Sequence, residues 1–473
     1  MAKRKKSTYE RLQSGDMNRK QRKELQRRLS SPEPGLEVVH ADAAGIDVGN
    51  GSHFVAVPPG RDERPVREFG SWTADLRQMA TWLKCCGIRT VAMQSTGVYW
   101  IAVQEVLEQE GLKNLPGRKS DVQECQWLMK LHTYGLLRNS FRPPEEIRAV
   151  RTIWRLRDRW VKDAGRAIQQ MQKALTIMNV QLANTISDVS GVTGMAILRA
   201  ILAGERDPRK LAKLRDKRIS ASEDEIAHSL EGNWRADVLF ELQQVVEAYD
   251  FYQTQMAVCD QRLQKHMAAL PDRERAQDNA AAEAEVPASR KSRKSRKSRR
   301  KNQPKFDLAA ELQRTMGVDV TAVDGLDVLT GLVLLSEVGG DLKAFPTENH
   351  FASWLELAPR RDISGSKVIR HIKPEGRNRL ANALRMAAQS LSRSDSYLGA
   401  RYRSLRGRLG GPRAIKAMAR YLACLLYRLL TKGKAYVDRG AAHYESKRQE
   451  RERLALQRRA AAHGFTLVPV AQS

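Results

Sequence analysis

The chain has 473 residues, and its 82 Lys and Arg against 54 Asp and Glu give a formal net charge of +28. Such a charge repels itself unless a polyanion neutralises it, and nucleic acid is the usual polyanion because each neutralised phosphate releases a counterion. No apolar run approaches the roughly 20 residues of a membrane-spanning helix, and the amino-terminal residues lack the apolar segment of a secretory signal. The composition favours a cytoplasmic, nucleoid-associated protein that binds nucleic acid.

Length and cysteine content bound the architecture. At about 150 residues per domain, the length predicts about three domains. The five cysteines (Cys85, Cys86, Cys125, Cys259 and Cys424) include no C-x-x-C pair, so we expect reduced, buried thiols rather than a zinc site. Residues 1–38 are basic and unpatterned, and we interpret them as a disordered tail.

Residues 39–140 have the pattern of an α/β domain. Two β-branched, alternating runs flank Asn50-Gly51, which is a strong hairpin signal. Two segments with helical spacing then end at Gly87 and Gly111, as expected for a glycine after the last helical turn. The predicted strands are 43–49, 52–58, 66–70 and 89–95, and the predicted helices are 73–87 and 98–111.

Residues 141–270 are predicted to be almost entirely helical. Apolar residues recur at three- and four-residue spacing in two long segments that a smaller helical insert separates. This pattern fits an antiparallel coiled-coil arm or dimer interface, and it fits an ordinary helical bundle equally well. The next segment, 271–306, has almost no large apolar residue and carries a basic SRK repeat, so we predict a disordered linker.

The remaining chain is predicted to form a mainly α-helical domain at 307–440 and a charged helical tail at 441–473. Within the domain, 323–340 is typical of a turn at Asp324-Gly325, an apolar helix and a Gly-Gly stop. Units of this kind dock on DNA backbones through main-chain N–H groups. A buried core helix is compatible with the same pattern.

Three acidic residues of the first domain are candidate metal ligands. Asp47 ends the first strand, and Asp121 and Glu124 are three residues apart, a spacing that puts both on one helical face. Carboxylates converging from a strand and a helix can hold Mg²⁺ ions that act on a phosphodiester. By spacing alone, however, a solvated surface pair is the more common outcome. Arg118 and Lys119 precede the pair and are candidate nucleic-acid contacts.

A candidate nucleophile lies in the segment 357–373. Ser364 is followed by Gly365, and surrounding basic residues can stabilise the charge that develops when a hydroxyl attacks a phosphate. A basic turn that only touches a nucleic-acid backbone fits the same spacing and is the commoner case. The basic residues, all candidate nucleic-acid contacts, are Arg360, Arg361, Lys367, Arg370 and Lys373.

Taken together, these motifs resemble the bridge-RNA-guided insertion-sequence transposases of the IS110 family, and more specifically its IS1111 subgroup. The resemblance runs from about Ala43 to Gly440, interrupted by the linker. It is carried by AAGIDVG, STGVYW, GRKSDVQECQWLMKLHTYGLLRNSFRP and SDVSGVTGMAILRAILAGERDP, and then by SEVGGDLKAFPTENHFASWLELAPRRDISGSK and GRNRLANALRMAA.

The resemblance implies a RuvC-like, RNase-H-type domain with a D-E-D-D metal site, a coiled coil, and a carboxyl-terminal domain with a nucleophilic serine. It implies Asp47, Asp121 and Glu124 as ligands of Mg²⁺ or another divalent cation, and Ser364 as the nucleophile that becomes covalently attached to DNA. It also implies a structured non-coding RNA that pairs with donor and target DNA, and a homo-oligomer, either a dimer or a tetramer.

The chain departs from the family pattern at several positions. The second carboxylate position holds Gln94, whose neutral amide should weaken metal binding, and Glu124 stands where Asp is usual. Residues 112–116 are too few for the strand and loop expected there, so we predict that one strand of the catalytic sheet is missing. Asp327 stands where Gly is more usual.

Three functions are therefore considered. The first is an active, metal-dependent transposase. The second is a catalytically impaired RNA- and DNA-binding remnant, which Gln94 and the short segment after Gly111 favour. The third is a junction-cutting nuclease that uses the first domain alone and needs no serine.

Overall fold

The computed structural model of the chain describes residues 36–95, 97–117, 122–137, 141–273, 302–364, 367–372, 378–433 and 440–466, together with Glu24 and Arg27. For the strands near Ser364, it describes the backbone alone. The predicted tail therefore lies almost wholly outside the described residues. The chain divides into two compact units, one comprising Met1–Arg142 with Arg360–Ile372 and the other Pro143–Pro359 with Lys373–Ser473.

A five-stranded mixed sheet forms the centre of the first unit. The strand order is β3-β2-β1-β4-β5, with β2 antiparallel to both neighbours and with β1, β4 and β5 mutually parallel. The strands are β1 (Ala43–Val48), β2 (Ser52–Ala56), β3 (Val66–Gly70), β4 (Thr90–Ser95) and β5 (Lys113–Gly117). The helices are α1 (Thr73–Cys85), α2 (Trp100–Gln109) and α3 (Val122–Thr133).

The hairpin predicted at Asn50-Gly51 is confirmed, because the N–H of Gly49 donates to the carbonyl of Ser52 across the turn. The prediction that one sheet strand is missing is wrong. Five residues, Lys113–Gly117, form β5 and pair in parallel with β4. The segment suffices because Gly111, at φ +78°, reverses the chain soon after α2, so that three residues, Glu110–Leu112, connect the helix to the strand.

The two faces of the sheet are covered differently. Alternate residues of β1, among them Ile46 and Val48, pack with Met79 and Leu83 of α1 and Leu107 of α2 in one apolar core. The opposite face, through Ala56 and Phe54 of β2, packs on Cys125 and Met129 of α3. The sheet is therefore the middle layer of three, with α1 and α2 on one face and α3 on the other.

The second unit is helical in its described part. Its first half contains α4 (Glu145–Ile177), α5 (Leu182–Thr185), α6 (Val192–Leu202), α7 (Pro208–Ala212), α8 (Glu223–Ser229) and α9 (Ala236–Ala268). Its second half contains α10 (Leu308–Met316), α11 (Val328–Val338), α12 (Glu348–Trp354), α13 (Arg379–Ser390), α14 (Tyr397–Leu409), α15 (Gly411–Lys432) and α16 (Gly440–Ala462).

The two long helices predicted in the middle region are present, and each has 33 residues. The two helices, α4 and α9, run antiparallel: Arg157 of α4 pairs with Asp260 of α9, and Trp160 stacks on Tyr252. The short helices of the insert join the same apolar core. Arg157 and Asp260 are both almost fully buried, so neither charge can be left unpaired without a large loss of stability.

The predicted linker, 271–306, is shorter at its carboxyl end than expected. The carbonyl of Asn302 accepts from Arg157, the N–H of Lys305 donates to Asp260, and Phe306 is buried. Residues 274–301, which include the basic repeat, lie outside the described residues.

A buried carboxylate joins α4 to the predicted turn-and-helix unit. Arg155 donates two hydrogen bonds, of 3.0 and 2.7 Å, to the carboxylate of Glu337 near the end of α11, and Arg151 donates to the Glu337 carbonyl at 2.7 Å. At the other end of α11, the carboxylate of Asp327 accepts from the N–H of Thr330 at 2.8 Å. Asp327 thus caps the helix, which gives a physical reason for aspartate at this position.

The segment around Ser364 is a β-hairpin rather than an irregular loop. Strands β6 (Arg360–Ser364) and β7 (Lys367–Ile372) pair antiparallel, with Ser364 opposite Lys367. The sequence placed this segment in the carboxyl-terminal domain, whereas the structure groups Arg360–Ile372 with the sheet-containing first unit.

Within the described residues, no helix has the length and apolarity that crossing a membrane requires.

Replacing Gly45 by Ala should strongly destabilise the first unit. An added Cβ would overlap the carbonyl oxygen of Cys125 and lie 2.5 Å from the amide nitrogen of Met129. Because both obstacles are backbone atoms of α3, we expect a loss of about 1–3 kcal/mol or more in the free energy of unfolding, measured by urea denaturation. The control is Gly165→Ala in α4, where a Cβ has open space and should stabilise by up to about 1 kcal/mol. Equal stability of the two variants would contradict this packing.

Candidate functional site

Asp47 and Gln94 lie side by side on adjacent parallel strands. They are register partners of β1 and β4, and Gly117 of β5 is the next partner in the row. Register partners on neighbouring strands are about 4.8 Å apart and point to the same face. Both side chains are buried, with 8% and 4% exposure. The two residues that the resemblance assigns to the first and second ligand positions are therefore neighbours.

Helix α3 covers this face of the sheet at very close range. Gly45 lies two residues before Asp47 and thus on the same face, and the backbone of α3 at Cys125 and Met129 occupies the space that a side chain at Gly45 would need. A glycine inside a strand is a signal of such a close backbone approach. The glycine of GIDVG therefore sets the height of α3 above the strand that carries Asp47.

A second contact fixes the direction of α3. His132, near its carboxyl end, shares a 2.8 Å hydrogen bond between Nε2 and the hydroxyl of Thr90, the first residue of β4. Thr90 and Gln94 are four residues apart and therefore lie on one face. With its carboxyl end fixed at the start of β4, α3 has its amino-terminal end beside the carboxyl ends of β1 and β4.

The electrostatic environment of Cys125 supports this placement. Burial, and to a smaller extent the negative charge of Asp47, raises the pKa of the Cys125 thiol to about 11. The first turn of α3 is therefore within electrostatic reach of Asp47. Glu124, the residue before Cys125, belongs to this turn, and its side chain lies outside the described part of the structure.

Helix α3 begins after the other residues predicted for this site. Arg118, Lys119 and Asp121 lie outside the described residues, and α3 begins at Val122. Among the described residues, no group of three or more His, Cys, Asp or Glu side chains is close enough to hold a metal ion.

The two side chains described at this site, Asp47 and Gln94, both offer oxygen atoms, which are the donors that a hard divalent cation prefers. Asp47 offers carboxylate oxygens and Gln94 an amide oxygen, and Mg²⁺ prefers oxygen ligands. One carboxylate and one amide supply a single negative charge, so further carboxylates are needed for strong binding.

The serine hairpin is described at the level of its backbone. Ser364 is the last residue of β6, and Arg360, Arg361, Lys367 and Arg370 lie on the two paired strands. Lys373 lies outside the described residues. The structure thus brings four of the five predicted basic residues onto the same hairpin as Ser364, and it groups this hairpin with the sheet that carries Asp47.

Sequence analysis missed an exposed apolar patch beside the site. Val98, Tyr99 and Ile101 follow the carboxyl end of β4 and are exposed by 68%, 43% and 37%. The signal was present, because STGVYW places consecutive large apolar residues after a strand that ends at the ligand position. The sequence analysis used this motif for the family resemblance and for the start of a helix, and it did not predict an exposed surface there.

Two regions of the chain match known protein families. Residues 44–180, which include Asp47 and Gln94, match a family of DEDD-type transposases of IS110 elements described as "Transposase". Residues 319–403, which include Ser364, match the "Transposase IS116/IS110/IS902 family". The chain therefore has one region similar to each of these two transposase domains.

A curated relative gives the same result. The chain is 33% identical over 128 residues to "Insertion element IS110 uncharacterized 43.6 kDa protein" of Streptomyces coelicolor. That match covers 27% of this chain and 31% of the relative, so the chain spans less than a third of the relative's length. Together with the two domain matches, it shows that the chain is similar to IS110-type transposases in both regions.

The buried His132 should make the first unit acid-sensitive. Burial, with a smaller effect of His40, lowers the pKa of His132 from 6.5 to about 4. Because the unfolded chain takes up this proton near pH 6.5 and the folded chain only near pH 4, the stability that His132 contributes is complete above pH 6.5. It is lost as the pH falls toward 4. We expect the urea concentration at the unfolding midpoint to decrease when the pH of the parent is lowered from 7 to 5. The decrease should be smaller in His132→Gln. Equal pH dependence in both proteins would contradict this assignment.

Proposed function

We propose that the chain catalyses the transposition of an insertion sequence, guided by a structured non-coding RNA. Ser364 attacks DNA phosphodiesters, and a divalent-cation site at Asp47 assists. Similarity to the IS110 family supports the reaction class. The observation that carries the proposal is the row formed by Asp47 and Gln94, with α3 packed directly over it.

The proposed first domain is RuvC-like, of the RNase-H type. A mixed sheet in which only β2 runs against the others, with helices on both faces, supports this proposal. Asp47, Asp121 and Glu124 would hold Mg²⁺, with Gln94 as a neutral fourth donor. When bound, such ions polarise a phosphodiester and stabilise the leaving oxygen. The role of α3 is to hold Glu124 close to β1, which the contact at Gly45 favours.

The proposed serine step exchanges one phosphoester bond for another. The Oγ of Ser364 forms a bond to phosphorus while one P–O bond of the DNA strand breaks, and the hydroxyl proton is released as the leaving oxygen gains one. The product is a serine–DNA ester, which a DNA hydroxyl can attack to rejoin strands and release the serine. The basic residues on the same hairpin would stabilise the negative charge of the attacked phosphate.

Sequence selection in this proposal belongs to the RNA. Base pairing between the RNA and both the donor and the target DNA would choose the sites, as in the bridge-RNA-guided IS1111 subgroup. The protein would then bind phosphate backbones, for which a net charge of +28 is suited. A homo-oligomer, either a dimer or a tetramer, would hold two DNA partners together, and the long antiparallel helices α4 and α9 would serve as its coiled-coil interface.

A specific observation favours a second candidate, a nucleic-acid-binding remnant with impaired catalysis. Gln94 is the register partner of Asp47 on the neighbouring strand, and its neutral amide adds no negative charge to the proposed metal site. The other argument for a remnant no longer applies, since β5 is present in the sheet. The remnant therefore differs from the enzyme in one ligand rather than in its fold.

A covalent-adduct assay separates the candidates. The parent chain is incubated with the RNA and DNA of its element with and without Mg²⁺, and denaturing gels report protein–DNA adducts. We expect an Mg²⁺-dependent adduct in the parent and none in Ser364→Ala. In Gln94→Glu we expect the same adduct at a lower Mg²⁺ concentration, because a second carboxylate strengthens cation binding. Ser353→Ala, an exposed serine on α12, is the matched control and should retain the adduct.

Each other outcome has a distinct meaning. No adduct in either the parent or Gln94→Glu, with salt-dependent binding preserved, would support the remnant. An adduct that persists in Ser364→Ala would exclude Ser364 as the nucleophile. Strand cleavage without any adduct in Ser364→Ala would support a nuclease that uses the first domain alone.

Whether the chain is an active transposase, a binding remnant or a nuclease, nucleic-acid binding by the parent should weaken steeply between about 50 and 200 mM salt. The reason is that bound phosphates release counterions. A fluorescence-anisotropy titration measures this dependence. A flat response to salt would rule out phosphate-backbone binding as the basis of every candidate function.

A further inference from the structure

A groove of about 950 Å³ lies in the second unit between α14 and the carboxyl-terminal helix α16. The groove is lined by arginines and by small residues such as Gly407 and Ala441. Because the small residues leave room, the arginine side chains face the open groove. Helix α16 begins at Gly440, well beyond the matched region 319–403. One wall of this groove therefore belongs to a part of the chain that the family match does not include.

The groove has an excess of positive charge that its own acidic residues do not neutralise. Its carboxylates, Glu445 and Glu452, both lie within ion-pair distance of one arginine, Arg448. Among the described residues, Arg401 and Arg408 form no ion pair with an acidic residue, and Arg451 contacts only a carbonyl oxygen and the ring of Tyr444. Three guanidinium groups are thus available to an anionic ligand.

The spacing of the arginines on α14 suits a linear polyanion. Arg401 and Arg408 are seven residues apart, which places them on one face of the helix and about 10 Å apart along its axis. Arg403, also in the groove wall, donates to the carbonyls of Ser394 and Ser392 at 2.6 and 3.4 Å. A chain of regularly spaced phosphates can contact this row at several points.

Arg401 is held in place before any ligand binds. Its guanidinium carbon lies 4.0 Å from the ring centroid of Tyr421 on α15, and the side chain is half-buried. Stacking of this kind restricts the rotamers of a long side chain, so less conformational entropy is lost on binding. Such preorganisation is typical of arginines that recognise phosphate.

We infer that the groove between α14 and α16 binds the phosphate backbone of double-stranded DNA. A single strand or an RNA loop would require exposed aromatic rings for base stacking, whereas the ring that lines this groove, Tyr444, is only 6% exposed. A duplex presents phosphates without needing such rings. The choice of DNA over an RNA duplex rests on the proposed function, while the binding site itself does not.

The test is a binding titration of the full chain with a labelled DNA duplex of about 25 base pairs in EDTA, which prevents metal-dependent cleavage. The variant is Arg401→Gln combined with Arg408→Gln. Each lost phosphate contact lowers the slope of log K against log salt by about 0.9, so we expect a decrease of about 1.8 and an affinity about tenfold lower or more. The matched control is Arg262→Gln combined with Lys265→Gln, which removes two exposed charges from α9 and should leave the slope unchanged.

Two further variants separate groove binding from folding and from catalysis. Arg401→Lys keeps the charge and should retain most of the salt slope, which a purely structural role of Arg401 would not predict. Ser364→Ala should bind the duplex as the parent does, so loss of catalysis and loss of groove binding are separate results. An unchanged slope in the double Gln variant, or an equal decrease in the α9 control, would overturn the inference. A decrease seen with an RNA duplex of the same sequence and not with DNA would overturn the assignment to DNA.

Discussion

The close approach of α3 to Gly45 is the contact on which the candidate site depends. A helix normally lies at a distance set by side chains, and here the backbone of α3 at Cys125 and Met129 fills the place of a missing side chain on β1. This contact puts the first turn of α3, with Glu124, beside the strand that carries Asp47. The hydrogen bond between His132 and Thr90 fixes the other end of the helix. Together the two contacts fix the position of α3 over the sheet.

The second unit depends on buried charge pairs instead. Arg157 and Asp260 join the two long helices, and the carboxyl-terminal end of the predicted linker contacts the same pair through Asn302 and Lys305. A second pair, between Arg155 of α4 and the carboxylate of Glu337, joins α4 to α11. Because a buried charge is costly once its partner is removed, these pairs favour one arrangement of the helices. The groove between α14 and α16, in contrast, has arginines that form no ion pair with any acidic residue in the described part of the chain, as expected for a surface that meets a polyanion.

Much of the first unit was predictable because its signals are local. The Asn50-Gly51 hairpin, the helix ends at Gly87 and Gly111, and the strand that contains Gln94 all follow from turn chemistry and hydrophobic periodicity. The strand Lys113–Gly117 was missed because its sequence, KNLPG, has neither alternation nor β-branched residues. Its pairing with β4 comes from the parallel sheet, which a local pattern does not contain. The hairpin around Ser364 was missed for a different reason, because its glycine and many charged residues are typical of a loop.

The sequence by itself determined a strongly basic chain suited to a polyanion, an α/β region that precedes a helical one, and the residue types that are candidates for the chemistry. Its ordered motifs also predicted the resemblance to IS110-type transposases, because such motifs can be identified without coordinates. Only the tertiary structure decided that Asp47 and Gln94 are neighbours, that Gly45 admits the backbone of α3, and that arginines from two distant helices share one groove. The reason is physical: spacing along a chain fixes which face of an element a residue occupies, whereas contacts between elements depend on how whole faces pack.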